Sequence, residues 1–325
     1  MTQTQIQIQP GHIARHTPHG VGSQGRGAAI IDVAQDLLLR HLFQIGLANK
    51  LVFKGGTSLR KLYAGHAGRF SLDLDFGISD LNENPEALIS EIVVAVSGLN
   101  LGPFTYDMTE RRGKWTIIYK HPFSGADYTL SSKVDLNPPP WLNPVLRDWI
   151  PLPIHKQYGD PPLPKLHVIR LEENIAEKIA RLNRTTTARD MFDLSWIMTT
   201  NAIFSALDIE LIKKLAVLKI WVDANGLHGG GAFWKQSHEW YPFDPEKWLR
   251  KRNIAEFDTV DIGALAVPAP SFDELSKNIS KSFSFLLNLN EDELIIANTK
   301  GKDRRLVLQM LRNLPDGRLK DVGLY

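Results

Sequence analysis

In residues 70–76, FSLDLDF, apolar and polar side chains take strict turns. A period of two has one regular solution, a β-strand, whose successive side chains point to opposite faces. Phe70, Leu72, Leu74 and Phe76 then share a face that needs a cover, while Ser71, Asp73 and Asp75 share the other. Two carboxylates at i and i+2 lie a few ångströms apart, and both stay ionised at neutral pH only if a cation sits between or beside them. This chain must therefore build a sheet with an acidic face and bring something positive to it.

The flanking residues supply the rest of a sheet domain. AAIIDVAQDLLLRHLFQIGL (28–47) has apolar residues at helical spacing and predicts an amphipathic helix. KLVFKGG reads as a short buried strand ending in a glycine turn, and TSLRKLYAGHAG as a helix of two to three turns that glycine stops. NPEALISEIVVAVSGL predicts a helix with Pro85 near its first turn. KWTIIYKHPF and DYTLSSKVDLN predict strands paired through a turn near Ser124-Gly125. In the second of these, Ser131, Lys133 and Asp135 share one face, and Val134 and Leu136 face an opposite core. Asp135 is thus the best candidate for a third acid beside Asp73 and Asp75.

Nine of the nineteen prolines fall between Pro138 and Pro164. Proline breaks helix interiors and cannot donate to a sheet ladder, so this stretch predicts an irregular connection leaving the sheet. At 325 residues, two domains are the default. The expected division is a flexible tail at 1–27, a sheet domain at 28–150 and a helical domain at 151–325. The helical domain rests on LEENIAEKIARLN, ARDMFDLSWIMTT, LDIELIKKLAVLKIWVDAN and FDELSKNISKSFSFLLNL, with a mobile glycine loop at 226–236. The fold class is α+β, a mixed and mainly antiparallel sheet flanked by helices and followed by helices.

Composition removes several chemistries. There is no cysteine, hence no disulfide, thiolate catalysis or Cys-ligated zinc. No apolar run approaches the ~20 residues that span a bilayer, and the polar N-terminus lacks a signal-peptide core, so a cytoplasmic protein is expected. Net charge is +2, spread evenly between the halves, which offers no bulk argument for nucleic acid. Basic runs at 248–253 and 300–325 read either as solvated faces or as phosphate-tracking surfaces. Trp221, Trp234, Trp240 and Trp248 read either as core or as base-stacking platforms. His12, His16 and His19 read as incidental histidines of the tail.

The remaining features converge on phosphate chemistry. Mg²⁺ prefers hard oxygen ligands and commonly binds through one or two carboxylates plus substrate phosphates. Three carboxylates from two strands can hold two such ions, which clamp the attacking and leaving oxygens of a phosphoryl displacement. The turn Gly55-Gly56-Thr57-Ser58, feeding a helix N-terminus, lets backbone N–H groups approach a triphosphate. Further on, Ile175, Ile179 and Leu182 form a core stripe, and Asn174, Lys178 and Arg181 project from another face. Arg189 and Asp193, at i and i+4, read equally well as a surface ion pair.

KGGTSLRKLY followed by RFSLDLDF, with EENIAEKIARLNRTTTARDMFDL (172–194) downstream, resembles the signature of the AbiEii/AbiGii-type, MenT-like nucleotidyltransferase toxins of the DNA polymerase β-like superfamily. The resemblance covers about residues 28–200. The turn-to-acid spacing exceeds that of many superfamily members but agrees with the toxin branch. It implies a nucleotide-phosphate turn at Gly55, Gly56, Thr57 and Ser58, a metal pair at Asp73 and Asp75 with Asp135 as third acid, and a triphosphate-binding Lys178. It further implies an acidic pair at Asp190 and Asp193. On this resemblance two Mg²⁺ ions and an NTP are expected. The expected reaction is nucleotidyl transfer to an acceptor hydroxyl, that of an RNA and above all a tRNA 3′ end, restrained by a cognate antitoxin. Two other readings stay open at this point, a nucleotide-binding module that sequesters a partner, and transfer to a protein hydroxyl.

Overall fold

The computed structural model describes residues 5–18, 22–160, 163–184, 187–225, 262–265, 268–298 and 304–320. The glycine loop at 226–236, Trp234, Trp240 and Trp248, the basic run at 248–253, His19, Lys300 and Lys302 lie outside the described residues. Two units divide the chain. One comprises Met1–Pro140, Pro144–Ile169 and Gly263–Pro268, and the other Trp141–Asn143, Arg170–Ile262 and Ala269–Tyr325.

The first unit is built on a sheet of eight strands: β1 (Leu51–Lys54), β2 (Leu74–Ile78), β3 (Asn100–Leu101), β4 (Phe104–Arg111), β5 (Lys114–Lys120), β6 (Thr129–Asn137), β7 (Val145–Arg147) and β8 (Leu166–Val168). Their spatial order is β3-β4-β5-β6-β2-β1-β8-β7. The sheet is mixed and mainly antiparallel, with β2 parallel to β6 and β1 parallel to β8. Phe53, Leu74, Phe76 and Val134 fall on one face through their registers. They belong to one core with Leu38, Leu39 and Leu42 of the helix α2 (Gly22–Gln44). Phe53 and Phe76, direct partners, stack at 5.5 Å between ring centroids.

Several elements differ from the expectation, each for a physical reason. The alternating run becomes strand only at Leu74, and Leu72 is 46% exposed instead of facing the core. Residues 69–73 are held outside the ladder by other partners: Phe70 N donates to Ala264 O, and Gln35 Nε2 donates to Leu72 O. The expected tail contains a packed helix, α1 (Pro10–His16), whose Ile13 is fully buried. No element was read from residues 100–111, yet β4 pairs with β5 along its whole length through a two-residue turn at Arg112 and Gly113. Both turn residues have positive φ, as a type I′ hairpin requires. The proline stretch leaves the sheet and then returns to it as β7 and β8 at one edge, so the unit boundary falls at Ile169 and not at 150. Edge positions tolerate nearby proline because one side of the ladder is empty.

The helix α4 (Pro85–Val96) forms as expected, with Pro85 at its start and Asn84 Oδ1 accepting from Glu86 N and Ala87 N at 2.9 and 3.2 Å. In the second unit the helices α5 (Leu171–Arg184), α6 (Ala188–Thr199), α7 (Asn201–Phe204) and α8 (Ile209–Asn225) precede Phe272–Ser282, Glu291–Asn298 and Arg304–Arg312. Glu173, fully buried on α5, accepts from the Trp141 and Leu142 amides at 2.8 and 2.9 Å and from Lys219 Nζ at 2.8 Å. Trp221 is 1% exposed, which makes it a core residue. Among the described residues no helix is long and apolar enough to cross a membrane.

Candidate active site

The parallel pairing of β2 with β6 sets Asp75 directly opposite Asp135. Register partners on neighbouring strands stand about 4.8 Å apart and point to the same face, here the face opposite Phe53 and Phe76. Lys54, the partner of Asp75 across β1, belongs to that face too. Asp135 accepts an ion pair from Lys133, two residues back on its own strand. Asp135 is 40% exposed at its side chain, within reach of solvent ions. Asp73 lies on the extended run just before β2, where its carbonyl accepts from Thr57 Oγ1. Among the described residues no three His, Asp or Glu side chains stand ready as a metal cage. The donor set nevertheless suits a hard divalent ion: carboxylate oxygens in register, with a neighbouring ammonium able to turn away.

Beside this pair the chain leaves β1 and starts a helical run at once, Gly55–Leu59 as α3 and then a π-helical turn over Arg60–Ala64. Gly55 has φ +74°, and a Cβ there would lie 3.0 Å from Asp75 Cγ and closer still to Oδ2. Glycine is required both for the backbone and to leave room for the carboxylate. At Gly56 a Cβ would overlap the Arg69 guanidinium and stand 3.1 Å from Ser71 Oγ. Thr57 and Ser58 are buried, and their hydroxyls donate inward, to Asp73 O and to Gly55 O at 2.9 Å. These hydroxyls brace the turn.

A buried charge network anchors the helical run. Asp32 on α2 accepts from Arg60 Nε and Nη2 at 3.0 Å each, from Lys61 Nζ at 2.9 Å, and faces His16 Nε2 at 2.8 Å. Lys61 also binds Asp36, which accepts from Tyr158 Oη. Burial pushes the Asp32 carboxyl up, but Arg60, Lys61 and His16 together hold it well below the ordinary aspartate range. Asp36 is depressed likewise: burial raises it, and Lys61 and His155 outweigh that. Burial, with Asp36 beside it, pushes the Tyr158 phenol far up, so it stays a donor. The spacing of Asp32 and Asp36 on α2, one turn apart, was the available signal.

In the helical unit Lys178 is 2% exposed and bridges two carboxylates, Asp190 Oδ1 at 3.0 Å and Asp193 Oδ2 at 2.8 Å. Thr187, the N-cap of α6, donates its hydroxyl to Asp190 Oδ2 at 2.8 Å. Burial raises the Asp190 carboxyl, but Lys178 and Arg181 hold it far below its usual value. Asp193 is 5% exposed and faces Lys178, so its setting is not that of a surface ion pair.

This constellation can be set beside known proteins. The profile described as Nucleotidyl transferase AbiEii toxin, Type IV TA system, matches residues 36–288. The chain belongs to the AbiEii nucleotidyltransferase toxin family. It is similar to MenT4, a nucleotidyltransferase toxin of Mycobacterium tuberculosis H37Rv, at 33% identity over 94% of this chain and 99% of that one, with a TM-score of 0.77. JHP933 of Helicobacter pylori is a looser likeness, 15% identical over 79% of this chain and 92% of that one, with a TM-score of 0.44. A comparison with curated protein sequences gives no match. As an AbiEii protein the chain is a nucleotidyltransferase and the toxin of a type IV toxin-antitoxin system, with an NTP as substrate and an antitoxin as counterpart.

Proposed function

We propose that this AbiEii toxin moves a nucleoside monophosphate from an NTP to a hydroxyl of RNA, above all the 3′ end of tRNA, and that Asp73, Asp75 and Asp135 hold the Mg²⁺ on which transfer depends. The supporting observation is the register pairing of Asp75 with Asp135 beside a glycine whose side-chain space one of those carboxylates fills. A divalent ion held there supplies charge neutralisation for the phosphates and orients them.

The chain's own groups do the remaining work. Amides of the Gly55-Gly56 turn hold phosphate oxygens, and the aligned peptide dipoles of the helical run favour the anion. Thr57 and Ser58 act indirectly by fixing that turn to Asp73 and Gly55. The acceptor oxygen attacks the α-phosphorus, the bond to the bridging oxygen of the β-phosphate breaks, pyrophosphate leaves, and the hydroxyl proton passes to solvent. Positioning and fixed charge carry such a reaction, because there is little covalent chemistry for protein groups to do. Lys178, ion-paired with Asp190 and Asp193, belongs to the same proposal as the cation for the triphosphate.

The test is incubation with total tRNA, Mg²⁺ and each NTP labelled at either the α or the γ phosphorus. Label from the α position is expected on RNA, none from the γ position, and Asp75→Asn is expected to abolish transfer. Absence of α label on RNA with all four NTPs would sink the RNA acceptor. Transfer of γ label would replace the reaction with phosphotransfer.

A further inference from the structure

The hairpin that joins β4 to β5 turns on Arg112 and Gly113, and Arg112 is an expensive choice there. Its φ is 55°, a region where a side chain crowds the backbone, and a type I′ turn is ordinarily made with Asn, Asp or Gly at that position. Among the described residues Arg112 and Asp316 are the non-glycines with positive φ, and aspartate adopts that conformation far more readily than arginine. No contact within the fold offsets the strain. Arg111, Arg112 and Lys114 are all exposed, and among the described residues none of their side chains makes a hydrogen bond or an ion pair. The carboxylate of the neighbouring Glu110 accepts from the Gly113 amide, so it serves the turn itself. A strained residue kept where the fold gains nothing points to a task at the surface.

The strand registers fix what this tip lies beside. Trp115 pairs with Val134, so Lys114 comes next to Asp135 at a strand spacing of about 4.8 Å, and Arg111, the partner of Lys114, lies one strand further out. Alternation puts Arg111, Lys114 and Lys133 on the face that carries Asp75 and Asp135. In the order β4-β5-β6-β2-β1, the acids of β6 and β2 have the hairpin on one flank and the glycine turn that leaves β1 on the other. In-line displacement places the attacking and leaving oxygens on opposite sides of the phosphorus. A donor whose phosphates take the glycine turn therefore leaves the β5 flank to the acceptor.

From this placement we infer that the tip Arg111-Arg112-Gly113-Lys114 is a docking site for the acceptor RNA, its three cations holding backbone phosphates next to the attacking 3′ hydroxyl. The inference rests on the RNA reading above and adds the surface that receives that substrate. Cations without protein partners give up none on binding, and the paired ladder of β4 and β5 holds them at a set distance from Asp135.

Equilibrium binding of fluorescent unfractionated tRNA over a range of salt concentrations, with NTP affinity measured alongside, tests it. Arg112→Asn removes one charge and suits the turn better, so its melting temperature should hold or rise while tRNA affinity falls about threefold or more. Lys156→Gln removes one charge from an exposed position in the turn Pro153–Gln157, whose His155 faces Asp36 of α2, and should leave tRNA affinity within about 1.5-fold. The triple variant Arg111→Gln, Arg112→Asn, Lys114→Gln should lose about tenfold or more, and its slope of log affinity against log salt should flatten by roughly two to three. Its NTP affinity should stay within about twofold of the wild type. Wild-type tRNA affinity and slope in the triple variant overturn the inference. So does equal loss in Arg112→Asn and Lys156→Gln, the mark of net charge alone, and so does lost NTP affinity with tRNA binding intact. If the triple variant does not fold, Arg112→Asn carries the test by itself. A wild type that labels RNA while the hairpin variants bind it normally overturns this inference alone. A wild type that neither binds nor labels RNA overturns the RNA reading together with it.

Discussion

Replacing Gly55 by alanine adds one methyl group to the turn, and the structure gives its consequences separately. The backbone is at φ +74°, where a residue with a Cβ loses roughly 1–2 kcal/mol. The methyl would also stand 3.0 Å from Asp75 Cγ and nearer to Oδ2, whereas nonbonded carbons rest ~3.5–4.0 Å apart. The carboxylate must therefore shift by on the order of 1 Å, a displacement that can cost about 10²-fold in rate when positioning carries catalysis. Gly98 is the control: its φ is +75°, and a Cβ there meets nothing within 4 Å. Thermal melting should show a small loss of stability in Gly98→Ala and a larger one in Gly55→Ala, which adds the crowding of Asp75 to the same backbone cost. The initial rate of α-label transfer should fall about a hundredfold in Gly55→Ala only. Wild-type rates in Gly55→Ala, or an equal loss in Gly98→Ala, would refute the link between that glycine and the Asp75 carboxylate.

Asp32→Asn leaves Arg60 and Lys61 buried with one fewer negative charge and should cost about 3–5 kcal/mol, read as a lower urea midpoint. Because Asp32 and Asp36 titrate below their ordinary value when folded, their stabilisation is complete above that value, near 3.9, and drains away as pH falls through it. Acid unfolding of the wild type should therefore start below about pH 5, and the Asp32→Asn variant should show a shallower pH dependence. Lys178→Met removes the ammonium shared by Asp190 and Asp193, leaving Arg181 beside Asp190, and should destabilise by several kcal/mol. Adding Asp193→Asn should recover part of that loss, and strict additivity in urea melts would argue against a shared cluster.

What could be read from the sequence was local. The alternation around Asp73 and Asp75, the glycine turn, the long helix of residues 28–47 and the helices after residue 170 follow from patterns a few residues wide. Asp135 was selected because its strand alternates in the right phase, and the register then set it opposite Asp75. What escaped depends on tertiary partners. Leu72 follows the alternation but lies outside the ladder, its own carbonyl accepting from Gln35 and the Phe70 amide donating to Ala264. The residues of α1 look like a polar tail until Asp32 is there for His16. Residues 104–108 alternate as cleanly as 70–76, and β4 was missed because charged residues crowd its far end. Lys178 was read as projecting from its helix because α6, with its two acids, returns onto it only in three dimensions.

The pairing of residues 75 and 135 has a consequence for how the protein is born. These strands are parallel, so no hairpin can join them, and β2 must wait with one edge open until a segment sixty positions later has been made. At about 5–20 residues per second a ribosome takes roughly 3–12 s over that distance. An unfinished polypeptide ending before Thr129 holds Asp75 without its opposite number. On the proposed role of Asp135, premature termination there should leave fragments without transfer activity.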